Sequence, residues 1–148
     1  MNTQKVSVSA VIFNDQNEIL LVKRSFNDDF LPGVWEMPGG GIDFGEEPED
    51  AVVREVKEET GLSIDTTSSS IISVFSYFHP QTVWHVELIY LCNLHKESQV
   101  ILSFEHTEYL WVKIEELQKV ELSDLMKKNI LVVFEHPLVR ALIVKQNK

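Results

Sequence analysis

Short apolar runs along the chain predict a set of β-strands, several of which alternate apolar and polar residues. The first two runs flank a polar turn at residues 14–17, and this arrangement predicts a β-hairpin. Residues 26–45 contain two prolines and three consecutive glycines, so they predict an irregular loop. The predicted strands are residues 6–13, 18–23, 71–78 and 82–91, with a short strand around residues 109–112.

Helical periodicity is found in two parts of the chain. Residues 47–60 predict a helix, because Pro48 suits a first helical position and Gly61 suits the left-handed residue just past the end. A second helical region begins near Ser123 and continues towards the C-terminus, with a break near Pro137. Strands, helix, strands and helix in this order are compatible with an α/β protein but do not choose a topology.

The overall composition indicates one globular domain. The 148 residues, 44% of them hydrophobic, suffice for one core over residues 1–148. A net charge of −10, with no Lys/Arg run longer than two, argues against binding nucleic-acid polymers or anionic membranes. The single Cys92 excludes an internal disulfide, and no apolar segment suits a signal peptide or a membrane span, so we expect a cytoplasmic protein.

The first predicted helix is densely acidic. With about 100° between successive residues, Glu55, Glu58 and Glu59 fall within an arc of about 100°. A solvated acidic face is the ordinary explanation for such a run. Glu58 and Glu59, however, lie in the last turn, where the helix dipole disfavours negative charge, so a compensating cation is expected. Mg²⁺, with Mn²⁺ as the alternative, suits carboxylate ligands beside a phosphate.

The segment GGIDFGEEPEDAVVREVKEETGL, which begins at Gly40, resembles the Nudix box of the Nudix hydrolase family. The flanking residues 35–40 and 51–55 are most similar to the MutT-type nucleoside triphosphate pyrophosphohydrolases. This resemblance implies a Nudix-type α/β/α sandwich with a mixed β-sheet. One departure is Glu47, where relatives commonly have Ser or Thr as a helix cap. The defining positions matched are Gly40, Glu46, Arg54, Glu55, Val56, Glu58, Glu59, Gly61 and Leu62.

The resemblance implies a role for each residue of the box. Glu55, Glu58 and Glu59 would bind divalent metal together with the backbone carbonyl of Gly39, and Arg54 would hold the glutamates in orientation. Arg54 lies four residues before Glu58, within pairing reach on a helix, and its guanidinium fork suits carboxylates. An ordinary surface ion pair is the alternative interpretation of that spacing.

A further glutamate is expected outside the box. Relatives use one on a loop ahead of a tryptophan, either as a metal ligand or as the base that activates water. Glu105, six residues before Trp111, is the preferred candidate, and Glu108 is the alternative. His106 could act as a base, but a lone loop histidine is expected to be exposed. The identity of the general base is left open.

Three residues are candidates for contacts with substrate. Arg24 is expected to contact phosphate, as MutT-type relatives carry a basic residue near the end of the second strand; otherwise it ends the strand in solvent. Gly40 belongs to the glycine triplet, where the backbone can approach metal and phosphate closely. Trp35, next to the box, could stack on a nucleobase.

Metal-dependent hydrolysis of a nucleoside diphosphate-linked substrate is the function that the resemblance implies. A nucleoside triphosphate, standard or oxidised, cleaved to monophosphate and pyrophosphate is the first hypothesis, and ADP-ribose or a nucleotide sugar is the second. A non-catalytic nucleotide-binding module is the third, although such modules usually lose box glutamates that this chain keeps. The partner would be a small nucleotide, and a homodimer is left open. Specificity is expected to depend on loops 65–70 and 93–103 and on the C-terminal region.

Overall fold

Strands dominate the first two thirds of the chain and helices the end. The computed structural model describes residues 1–66, 70–79, 82–96 and 99–146; parts of both expected specificity loops, residues 67–69 and 97–98, lie outside these ranges. The helices are α1 (Pro48–Thr60), α2 (Asp124–Glu135) and α3 (Pro137–Gln146), and a 3₁₀ helix spans Ile114–Lys119. The strands are β1 (Thr3–Ile12), β2 (Glu18–Arg24), β3 (Trp35–Glu36), β4 (Gly39–Gly41), β5 (Ile64–Asp65), β6 (Ile71–Phe78), β7 (Val83–Leu94) and β8 (His106–Lys113).

The strands form a mixed sheet and a smaller antiparallel sheet. In the mixed sheet, β1 pairs in parallel with β7 and antiparallel with β4, and β7 also pairs with β5 and β6. In the smaller sheet, β2 lies between β3 and β8. Helix α1 packs on one face through Val52 and Val56, and α2 and α3 cover the other through Ile130, Val133 and Val139. The expected α/β/α sandwich with a mixed sheet is therefore confirmed.

The predicted hairpin between the first two strands is wrong. The turn itself exists, and the Asn14 side chain accepts hydrogen bonds from the backbone N–H groups of Gln16 and Glu18. A single bridge between Phe13 and Ile19 joins the strands, which then enter different sheets. Both strands have long buried apolar runs, so each needs partners on both edges and cover on both faces. Periodicity cannot identify which strands those partners are.

The supposed irregular loop at residues 26–45 contains two short strands. Strand β4 consists of the three glycines Gly39–Gly41, which pair along the edge of β1. A Cβ on Gly39 would lie 2.0 Å from the carbonyl oxygen of Val8, so only glycine allows this approach. Sequence reading assigns glycine runs to loops, and here the close backbone contact overrides that rule.

The helix ends follow the sequence signals closely. Gly61 has φ of 72° and its N–H donates to the carbonyl of Lys57, as a helix C-terminus requires. Glu47 makes no side-chain capping bond, whereas the Ser123 hydroxyl accepts from the Met126 N–H at the start of α2. The predicted break is present, since α3 begins at Pro137. None of the helices in the described ranges combines the length and hydrophobicity that a membrane crossing needs.

Candidate active site

Helix α1 divides its glutamates between the protein interior and solvent. Glu59 is 5% exposed and the side chain of Glu55 is 13% exposed, whereas the Glu58 side chain is 59% exposed. The three glutamates of the predicted acidic face therefore differ in burial. The two inner carboxylates contact strand β4.

Two glycines of β4 make room for those carboxylates. The N–H of Gly39 donates to Oε2 of Glu59 over 2.9 Å. A Cβ on Gly40 would lie 2.5 Å from the carboxyl carbon of Glu55, so a side chain at this position would displace that group. A Cβ on Gly41 would meet nothing within 4 Å. The need for a close approach is therefore specific to the first two glycines.

Arg54 links the carboxylates of the box. Its Nε and Nη2 donate to the two oxygens of Glu46 at 2.7 and 2.8 Å, and its Nη1 donates to Glu55 at 2.8 Å. The contact with Glu58, the partner favoured by helical spacing, is longer at 3.3 Å. The bidentate bond to Arg54 lowers the pKa of Glu46 to about 2. Glu46 is thus the main anchor that fixes Arg54 beside Glu55.

The start of β8 brings two further ligand groups to the inner carboxylates. One ligand atom each from Glu59, Glu105 and His106 lie within 4.8 Å of one another. Glu105 is exposed, and the alternative Glu108 instead pairs with Lys23 at 2.8 Å. The expectation that His106 is exposed is wrong, because only 6% of the residue is accessible and its Nε2 lies 3.1 Å from Glu36. Its place opposite Arg24 in the β2–β8 pairing buries the ring.

Comparison with known proteins decides the family. The family model described as "NUDIX domain" matches residues 3–132. The chain belongs to the Nudix hydrolase family. Its resemblance to that family, inferred from the spacing of the box, is confirmed.

Relatives of this Nudix hydrolase include both small and larger proteins. The nucleoside triphosphatase NudI of Salmonella typhimurium is 30% identical over 128 residues, covering 81% of this chain and 89% of NudI. Nudix hydrolase 8 of Arabidopsis thaliana is 30% identical over 137 residues, covering 90% of this chain but only 36% of that protein. A MutT protein structure from Methanosarcina mazei superimposes with a TM-score of 0.79 at 29% identity, covering 90% of this chain and 94% of the other.

The carboxylates of the Nudix box fit a divalent cation, the cofactor that Nudix hydrolases generally use. Burial, with Glu36, Glu55 and Glu105 nearby, raises the pKa of Glu59 to about 9 against the Gly39 N–H bond. Burial also raises the pKa of Glu55. A cation would relieve both the desolvation and the mutual repulsion of these groups. The donors are oxygens with one imidazole, a set suited to hard divalent ions.

The Nudix box lies beside two adjoining clefts. The acidic cleft, about 250 Å³, is lined by Glu55, Glu59, Glu105, His106 and strand β4. The aromatic cleft, about 260 Å³, is lined by Ser9, Phe30, Tyr77, His85 and Glu87. Arg24 and strand β4 border both, so the two clefts adjoin each other.

Arg24 lies at the junction of the clefts with its guanidinium already engaged. It donates to the carbonyl of Phe30 at 2.7 Å, to Glu36 at 2.9 Å and to Asp28 at 2.5 Å. The Arg24 side chain is 18% exposed, so it does not end the strand in open solvent. Contact with phosphate stays a prediction.

Trp35 lies apart from the acidic cleft. It packs against the core on the α2 side and lines a small cavity of about 50 Å³ with Met37, Phe75 and Asn129. Lys23 places its ammonium 5.6 Å from the Trp35 ring centroid. Stacking of Trp35 on a nucleobase stays a prediction.

Sequence reasoning gave no role to several residues that shape the site. Glu36 accepts from Arg24 and contacts His106, and Glu46 anchors Arg54. Glu46 was already a defining position of the Nudix box, so its spacing was a usable signal. Glu36 has no comparable local signal, because its partners lie on β2 and β8.

Proposed function

We propose that this Nudix hydrolase cleaves a nucleoside triphosphate to a nucleoside monophosphate and pyrophosphate, with Mg²⁺ as its cofactor and Mn²⁺ as a substitute. The observation that carries the proposal is the convergence of Glu55, Glu59 and Glu105 on the glycine strand β4 in one cleft. Carboxylates beside a strand that has no side chains suit the binding of a metal ion together with a phosphate chain. The substrate of NudI, a nucleoside triphosphatase by name, supports the triphosphate over other diphosphate compounds.

The metal ligands that we propose are Glu55, Glu58, Glu59 and Glu105, with the backbone carbonyl of Gly39. Glu55 and Glu59 line the acidic cleft and would bind the ion there, and the exposed Glu58 is the third carboxylate of the box that we propose as a ligand. When bound, the cation would neutralise phosphate oxygens and lower the pKa of the attacking water. Arg54 keeps Glu55 in place through its bonds to both Glu46 and Glu55.

Hydrolysis then requires one new bond, one broken bond and one proton acceptor. The oxygen of a water molecule bonds to a phosphorus atom, and the bridging P–O bond opposite it breaks. The water proton passes to a carboxylate, for which Glu105 is the candidate because it is exposed at the cleft. Gly40 offers close backbone approach, and Arg24 is proposed to steady the phosphate chain from the junction of the clefts.

The setting of the enzyme is part of the proposal. We propose a single Nudix domain over residues 1–148 that acts in the cytoplasm on a small nucleotide. A net charge of −10 supports a small, metal-neutralised substrate over a nucleic-acid polymer. A homodimer is compatible with this proposal and is not required by it.

A substrate panel with identified products tests the proposal. Nucleoside triphosphates, oxidised triphosphates, ADP-ribose and nucleotide sugars would be incubated with Mg²⁺, with Mn²⁺ and with chelator. We expect monophosphate and pyrophosphate from a triphosphate, and no turnover with chelator. Cleavage confined to ADP-ribose or nucleotide sugars would contradict the triphosphate assignment, and binding without turnover would favour a non-catalytic module.

A further inference from the structure

One face of the mixed sheet carries polar side chains where a core would carry apolar ones. Alternate residues of a strand share a face, and the pairing registers align Ser7 with Glu87 and Glu87 with Phe75. The opposite face carries Val8 and Leu88, which pack into the core under α1. Further along the polar face, the side chains become apolar under α2 and α3. The polar part of this face therefore lines the aromatic cleft.

Aromatic rings form one wall of that cleft. The rings of Tyr77 and His85 stack with centroids 4.9 Å apart and planes 5° apart. Phe30, from the loop after β2, lies 6.2 Å from the Tyr77 ring at 20° and carries Arg24 above it at 5.1 Å. These nearly parallel, stacked rings offer a stacking surface to a planar ring system.

A carboxyl and a hydroxyl form the floor of the cleft. Ser9 is 6% exposed and donates its hydroxyl to Oε1 of Glu87. That bond uses one lone pair of Oε1, and Oε2 has no hydrogen-bond partner among the described residues, so both oxygens can accept from a ligand. Burial, with Glu36 nearby, raises the pKa of Glu87 to about 7 against the Ser9 bond. A ligand that brings N–H donors would favour the carboxylate form.

A buried amide adds a donor at the deep end. Asn129 of α2 is 5% exposed, and its Nδ2 has no hydrogen-bond partner among the described residues. It lines the small cavity next to the aromatic cleft, and Ser9 and Glu87 line both spaces. A buried amide N–H without a partner destabilises the fold, and a ligand carbonyl would satisfy it.

We propose that Glu87, held by Ser9, and Asn129 read the edge of a nucleobase that stacks against Tyr77 and His85. Glu87 accepts from two adjacent N–H donors, and Asn129 donates to a carbonyl beside them. Guanine has this arrangement on one edge, with a ring N–H, an exocyclic amino group and a carbonyl oxygen. Hypoxanthine keeps the carbonyl and ring N–H but lacks the amino group. The preferred substrate is therefore a guanine nucleotide, which rests on the nucleotide hydrolysis proposed above.

The binding of two product-like ligands tests base recognition separately from catalysis. GMP and IMP differ by the one amino group, and calorimetry without metal measures their affinities directly. We expect GMP to bind wild-type protein about tenfold or more tightly than IMP, since a site built for an amino group leaves an acceptor unpaired without it. Equal affinities in the wild type would overturn the proposal.

Glu87→Gln tests the residue, and Glu108→Gln is its matched control. Both change one carboxyl to an amide of the same shape, but Glu108 lies outside the clefts in an exposed pair with Lys23. We expect the GMP-to-IMP ratio to fall to about one in Glu87→Gln and to stay at the wild-type value in Glu108→Gln. An unchanged ratio in a folded Glu87→Gln variant would contradict the role of Glu87. Asn129→Ala should weaken the binding of GMP and IMP equally, and unchanged affinities would contradict the role of Asn129.

The two proposals fail in different ways. Triphosphate hydrolysis together with equal GMP and IMP affinities would leave the proposed function standing and overturn base reading by Glu87. A clear GMP preference, with no hydrolysis of any triphosphate, would do the reverse. GMP and IMP have no phosphoanhydride bond, so their binding is measured independently of hydrolysis.

Discussion

The acidic cleft and the aromatic cleft adjoin each other but are built in different ways. Most of the acidic cleft comes from β4 and α1, which lie within one short segment, with Glu105 added from the loop before β8 and His106 from its first position. The aromatic cleft takes most of its residues from β1, β6, β7 and the loop after β2, and the small cavity beside it adds α2. Residues close in sequence therefore form most of the acidic cleft, whereas the pairing of distant strands forms the aromatic cleft.

Removing an inner carboxylate should break the acidic cleft alone and give the largest effect. Glu59→Gln keeps an oxygen that can accept from the Gly39 N–H, so the fold should persist. The loss of its charge should lower kcat by roughly 10²–10³-fold. Steady-state kinetics with Mg²⁺ and a circular-dichroism melt would check both parts.

The matched substitution for that test is Glu108→Gln, which changes an exposed glutamate paired with Lys23. Its kcat should remain near the wild-type value. A Glu59→Gln variant that melts normally and keeps its full rate would contradict the metal assignment.

Gly40→Ala should reduce activity by a smaller amount through geometry alone. The new Cβ would meet the Glu55 carboxyl at 2.5 Å, and that flexible group can move aside without unfolding the protein. A displacement of this order should cost roughly 10–100-fold in kcat. Gly41→Ala adds the same methyl group where nothing lies within 4 Å, so its rate should be close to wild type. Equal rates in the two variants would show that Glu55 need not be held in place.

Local signals predicted much of the fold. The bounds of α1 followed from Pro48 and Gly61, and the break between α2 and α3 followed from Pro137. The partners of β1 and β2 could not be predicted, because continuous buried runs suit a central strand in any sheet. Strand β4 was missed, since its glycines serve backbone contact and carry no side-chain pattern.

The candidate site divides along the same line. The spacing of the Nudix box identified Arg54, Glu55 and Glu59 as site residues. Helical spacing favoured Glu58 as the partner of Arg54, whereas the shorter bonds of Arg54 are to Glu46. The depth of His106 depended on its pairing across from β2, which no local pattern reports. Glu87 and Asn129 had no signal, because their neighbours are distant in sequence.

The aromatic cleft should make its own contribution to the pH dependence of stability. The pKa of Glu87 is raised from 4.5 to about 7 in the folded protein, so its stabilising contribution is complete below pH 4.5 and is lost as pH rises through 7. Wild type should therefore lose about 1–3 kcal/mol relative to Glu87→Gln between pH 4.5 and pH 8.

Urea unfolding of both proteins without metal at these two pH values measures that difference. The two proteins differ only at residue 87, so the comparison isolates the contribution of Glu87. Parallel pH profiles for wild type and variant would show that Glu87 is not buried as an acid.

The ratio of kcat/KM for GTP to that for ITP, measured in Gly40→Ala and in Glu87→Gln, tests most directly whether the two clefts divide chemistry from recognition. We predict that Gly40→Ala lowers both rates and leaves the ratio at its wild-type value. Glu87→Gln should instead bring the ratio to about one, because the value for GTP falls more than the value for ITP. A ratio that changes equally in both variants would contradict the separation of the clefts.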